Sequence, residues 1–347
     1  MLESLSASEI LNVPTSECER IFGPTETEAK EQYRHLSKRW YPRKDGDDGR
    51  VFAHISLLHR VALQKIRAGQ WKDPRVETIM NAGKEVKFTV LKRFKFELGE
   101  AVTGQDELLF LIDNQYDDLY LQALAAQRIF TNWPSSRVRK EVERYLPKFS
   151  SYPAPMKTER RAVSTVRDRR LIRLRDIKEP LDPKHVAWIV SSLYDLLCYL
   201  QVMKLTHNAI SLDNYWIEPE AHYGALLGGW WYAVPVGQRL AALPTWALAE
   251  APAGFRAQAS AGVAKAKGIL GLLQLKALAR ELLGDRPGGR LLHDKKIPRA
   301  LATWAVLPPG DHPIKEYAGW QDVLKDSFGA RRYTKLDLRA SDIYGKE

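Results

Sequence analysis

The sequence predicts an α+β protein: a small helical module, then a two-lobe domain with a mixed amino-terminal lobe and a mainly helical carboxy-terminal lobe. Three observations predict it. Apolar residues recur three and four apart up to about residue 70, alternate or cluster in short runs from 84 to 113, and return to helical spacing from 183 onward. The 347 residues suffice for about two domains. With 45% hydrophobic and 27% charged residues, the composition excludes a largely disordered chain.

The elements follow in order. Ser6 and Glu9 have capping-box spacing ahead of Ile10 and Leu11. Ala29, Tyr33, Leu36 and Trp40 share one helical face, predicting a helix over 27–40 that Pro42 and the Asp45–Gly49 run terminate. Phe52, Ile55, Leu58, Ala62 and Ile66 predict a third helix over 51–67. Loose alternation over 84–98 suggests strand, Leu108–Ile112 a buried strand, and Asp117–Phe130 a helix. The run Ser150–Pro155 reads as a connector, and 161–166 with 171–174 as a hairpin turning at Arg167-Asp168-Arg169. Pro183–Met203 has a wide apolar face, and Gly262–Leu283 is a second strong helix stopped by Gly284–Gly289. Trp304 and Trp320 fall in further helical core segments. Expected domain limits are 1–70, 71–175 and 176–347, and no period of 20–50 residues recurs.

Charge and cysteine bound the function classes. Lys plus Arg is 53 against 42 acids, a net of +11. Cys18 and Cys198 are too few and too distant for a disulfide framework or a paired zinc motif, which fits a reducing, cytoplasmic setting. Met1–Leu5 lacks the pattern of a signal peptide, and no 18-residue apolar run predicts a membrane span. No metal cluster, Walker loop or Gly-x-Ser-x-Gly elbow is present, and no cofactor is expected.

The segment from Ser6 to Arg67 resembles the J-domain of DnaJ-type co-chaperones. The resemblance rests on Glu9–Val13, on Gln32–Trp40 and on the Phe52 helix. In that family a basic helix leads into a His-Pro-Asp loop that engages a DnaK-type chaperone. Here the loop reads Tyr41-Pro42-Arg43. A carboxylate accepts hydrogen bonds and a guanidinium only donates, so the change reverses the contact. The resemblance therefore implies the module's fold without a DnaK-type partner.

The segment Leu205–Ile217 resembles the catalytic loop of protein kinases, whose pattern is His-Arg-Asp-Leu-Lys-x-x-Asn. His207 and Asn214 match its first and last positions; Ala209 stands at the catalytic aspartate and Ser211 at the lysine. Gly228-Gly229-Trp230 aligns with the metal-binding Asp-Phe-Gly motif and offers no carboxylate to magnesium. The Gly-rich loop would fall near Leu98–Gly104, and Leu109–Asp113, the strand that should carry the nucleotide lysine, has none. The resemblance implies a pseudokinase-like domain over about 75–340, hinged near Arg175-Asp176-Ile177, that is not an enzyme. The Trp230-Trp231-Tyr232 cluster is expected to pack where nucleotide otherwise sits.

Arg137 to Arg175 carries thirteen lysines and arginines. Arg160, Arg161, Arg167, Arg169, Arg170 and Arg173 could bind phosphate backbones, with Tyr145, Phe149 and Tyr152 available to stack on bases. A solvated, charge-defended hairpin edge is the competing reading. The sequence thus predicts a non-catalytic adaptor with a protein partner. Alternatives are nucleic-acid binding, an atypical kinase using Asp213, and co-chaperone work. The pairing of a short J-like module with a kinase-like remnant suggests a bacterial or phage context.

Overall fold

The computed structural model describes residues 5–42, 49–71, 76–81, 84–152, 160–330 and 332–344. The chain divides into two compact units, one of residues 1–79 and 85–90, the other of 80–84 and 91–347.

The first unit holds α1 (Ala7–Leu11), a 3-10 segment (Thr15–Arg20), α2 (Glu26–Trp40), α3 (Arg50–Arg67) and most of the strands β1 (Val76–Asn81) and β2 (Lys84–Thr89). α1 and α2 each begin with a full capping box, Ser6 with Glu9 and Thr25 with Glu28. α2 and α3 run antiparallel. Arg67 at the end of α3 bonds Glu26 at the start of α2 at 2.8 Å, while Tyr41 just past α2 meets Phe52 at 5.2 Å between ring centroids. Ile10, Phe22, Leu36, Ile55 and Leu58 form this unit's own core, and Tyr33 stacks on His59 at 4.2 Å. Tyr41 leaves α2 in extended backbone, as a residue before proline prefers, and is 62% exposed. Arg43 lies outside the described residues.

The second unit opens with β3 (Lys92–Phe96), β4 (Gly99–Thr103), β5 (Glu107–Asp113), α4 (Asp117–Phe130), α5 (Ser136–Val142), β6 (Phe149–Tyr152) and β7 (Arg160–Val166). The strands form one antiparallel sheet in the order β3-β4-β5-β7-β6. β5 is central and apolar on both faces, so all five residues from Leu108 to Ile112 are buried.

The helical lobe follows: β8 (Ile172–Arg173), α6 (Pro183–Val202), β9 (Leu205–Thr206), β10 (Tyr215–Glu218), β11 (Tyr223–Leu226), β12 (Val234–Pro235), α7 (Thr245–Glu250), α8 (Ala253–Ser260), α9 (Gly268–Leu282), α10 (Arg299–Val306), α11 (Pro313–Phe328) and α12 (Ala340–Tyr344). α6 starts at an Asp182 cap with Pro183 in its first turn. It is apolar around most of its girth and runs through the core of this lobe.

Several expectations are corrected. The alternating stretch 84–98 is two strands, β2 and β3, belonging to different sheets. Ser150–Tyr152 belongs to β6, not to a connector; Pro153, Ala154 and Pro155 lie outside the described residues. Residues 161–166 and 171–174 make no hairpin, because β7 pairs with β5 and β6 while β8 pairs with β10. The second long helix starts at Gly268 instead of Gly262, whose φ of +66° closes the end of α8.

Candidate functional site

The kinase-like segments converge between the sheet and the helical lobe. β9 ends at Thr206 and β10 begins at Tyr215, so residues 207–214 form the intervening loop. His207, 1% exposed, donates from Nε2 to the Gly228 carbonyl (3.0 Å), since its Nδ1 accepts from the Ala209 N–H (3.3 Å). Burial holds its imidazolium pKa down at about 3, so the ring is neutral. Asn208 takes a left-handed φ of +64° and bonds Thr206 Oγ1 and the Tyr232 carbonyl, both at 2.9 Å. Ser211 supplies the carbonyl that closes a turn onto Asn214 and Tyr215. Asn214 donates to the Ala209 carbonyl at 2.8 Å.

Gly228 and Gly229 are pressed against this loop. A Cβ on Gly228 would lie 2.5 Å from Asn214 Oδ1. One on Gly229 would lie 2.7 Å from both Asn214 Nδ2 and His207 Cε1, and its φ of +82° disfavours any side chain. No carboxylate fits at either position in this packing.

Aromatic rings fill the adjoining space. Phe96 at the end of β3, Phe110 in the middle of β5 and Trp231 form a mutual cluster with centroids 4.8–5.7 Å apart. Phe110 and Trp231 are each 2% exposed. The turn that carries Trp231 is held from both sides. Trp230 donates to the Leu226 carbonyl (2.7 Å) and packs on Phe130, while Gln122 of α4 donates to the Trp231 carbonyl (2.7 Å). The segment expected to hold a Gly-rich loop is strand β4. The turn before it is only Glu97-Leu98, and Leu98 is buried.

The six arginines singled out from sequence are all engaged within the protein. Arg160 pairs with Asp113 (3.1 Å), Arg161 with Asp117 by two bonds, Arg169 with Asp106 and Arg170 with Asp168. Arg170 draws the Asp168 carboxyl down to about 2. Arg173 is buried against Asp176 at 2.8 Å. Arg167, 2% exposed, donates to the carbonyls of Gly104, Gln105, Arg169 and Leu171 at 2.7–3.2 Å. Asp213 is held by Arg175 at 3.0 Å, which also bonds Glu281.

Sequence reasoning placed His207, Ala209, Asn214 and Gly228–Trp230 together, and the structure brings them together. It missed Phe96, Phe110 and Gln122, which sit on separate elements with no local spacing to connect them. It also missed Tyr344, whose hydroxyl donates to Asp176 (3.0 Å) and accepts from the Arg173 N–H (3.1 Å) under the Arg167 guanidinium.

A sheet-rich lobe and a helical lobe lie on either side of the His207–Asn214 loop. No family model and no curated protein matches the chain. Among solved structures it is similar to vaccinia related kinase 3, at 12% identity and a TM-score of 0.47 over 73% of this chain and 91% of that one. It is also similar to a Toxoplasma gondii rhoptry antigen kinase domain, at 11% identity and a TM-score of 0.48 over 74% and 88%. Among the described residues no helix is long and apolar enough to cross a membrane.

Proposed function

We propose that this protein is a non-catalytic adaptor, a J-domain-like module fused to a pseudokinase-like domain, that works by binding another protein. The observation that carries the reading is the contact of Asn214 with Gly228 and Gly229 beneath the Phe96–Phe110–Trp231 cluster. Phosphoryl transfer needs a positioned base and a metal-held polyphosphate. Ala209 has no proton-accepting group, the two glycines leave no space for a metal-holding carboxylate, and β5 has no lysine. Asp213, the acid an atypical kinase could recruit, is committed to Arg175.

A protein partner is favoured over nucleic acid because the guanidiniums of 160–173 are taken up by carboxylates and carbonyls of the chain itself. In the J-like module, the exposed Tyr41 replaces the histidine of the family's loop, which argues against a DnaK-type partner.

The test is thermal denaturation with ATP, with and without magnesium. A ligand bound only by the native state raises the melting temperature. We expect no shift; a magnesium-dependent rise of several degrees overturns the reading.

A further inference from the structure

We propose that the groove between α9, α10 and α11 binds a small organic anion with a flat apolar body and one acidic head group. It shares no residue with the His207–Trp231 cluster, and its volume of about 630 Å³ is in the range of small-molecule sites.

Three observations on different residues support this. The first is apolar lining: Trp304 and Val323 flank the groove, and Leu307 at its edge is 55% exposed. The Trp304 N–H donates to the Tyr194 hydroxyl at 3.2 Å and its indole is only 7% exposed, so the open apolar surface comes from Leu307 and the half-buried Val323.

The second is charge. Lys276, Arg299 and Lys315 line the groove against one acid, Glu316. Lys276 is 4% exposed and donates to the Trp304 and Leu307 carbonyls at 2.8 and 2.9 Å at the base of the groove, where burial draws its ammonium pKa down to about 8. Arg299 and Lys315 are exposed and have no carboxylate partner among the described residues. Glu316 Oε1 accepts from the Gly310 N–H at 2.8 Å. An anion entering here meets the two exposed cations Arg299 and Lys315, with the buried Lys276 amine beneath them, against one carboxylate.

The third is Gly319, in the middle of α11, where glycine is a poor helix former. Its φ is not in the left-handed region, and a Cβ there would meet nothing within 4 Å. Neither backbone geometry nor packing within the protein requires a glycine, yet it keeps one wall of the groove open.

The experiment uses the full chain and 1-naphthalenesulfonate as probe, followed by titration calorimetry. We expect saturable one-to-one binding, weakened at least about tenfold by Gly319→Leu, which fills the groove, and by Arg299→Glu with Lys315→Glu. Circular dichroism and melting temperature report whether each variant stays folded. 1-Naphthylmethylammonium, with the same ring and opposite charge, should not bind. Equal binding of the two probes, undiminished binding to folded Gly319→Leu protein, or preferential capture of poly-glutamate over the sulfonate overturns the proposal.

Discussion

Gln122 donates its side-chain amide to the carbonyl of Trp231 across 109 positions of sequence, at 2.7 Å. This bond ties α4 to the turn whose indole packs on Phe96 and Phe110. Removing the donor strands a buried carbonyl, which costs about 1–3 kcal/mol. Gln122→Ala should lower the urea midpoint by that amount and speed amide exchange at 230–232. An unchanged midpoint with unchanged exchange would show that the bond anchors nothing.

Phe110 has rings on two sides and the glycine pair beside it, its Cζ being 3.4 Å from where a Gly228 Cβ would lie. Truncation leaves a void that rigid neighbours cannot collapse into. Phe110→Ala should destabilise by about 3–5 kcal/mol in chemical denaturation, and Phe110→Leu by much less. Similar losses in the two variants would mean that ring packing is not what fills the cleft.

His207 sets a pH dependence. Its folded-state pKa is about 3, below the ordinary 6.5, because burial disfavours the charged ring. As pH falls below 6.5 the unfolded chain takes up a proton that the folded chain refuses. Its stability contribution is complete above that pH and is lost as pH falls toward 3, at up to about 1.4 kcal/mol per pH unit. His207→Gln keeps one donor and one acceptor without titrating. Urea unfolding between pH 6.5 and 4 should show a steeper decline for the native protein than for the variant; parallel curves would refute the assignment.

Arg167 satisfies four carbonyls with one planar fork. Arg167→Met fills the space but leaves those acceptors unpaired, so a loss of about 3 kcal/mol or more is expected. Arg167→Lys should recover only part of it, because an ammonium cannot reproduce the fork. Full rescue by lysine in a melting experiment would mean that charge matters here and geometry does not.

What could be read in the sequence was local. The faces of α2, α3 and α6, the Ser6–Glu9 capping box and the buried run in β5 follow from spacings within one element, and the structure has them. The His207–Asn214 loop was legible because its motif is contiguous. The Arg-rich stretch shows the limit. Asp106, Asp113 and Asp117, which neutralise Arg169, Arg160 and Arg161, lie 44–63 positions upstream. Composition counts the cations and cannot see those partners. The cleft-filling rings come from β3, β5 and the turn after β11, joined by packing alone.

The glycine pair also restricts which neighbouring sequences are viable. Any single replacement at Gly228 or Gly229 collides with Asn214, so a variant carrying an acid there must also reshape its neighbours before it folds as well as its parent. A compensating change at or near Asn214 has to accompany the first. Random drift can wander freely over the exposed faces of this protein, but at these two positions it meets a valley.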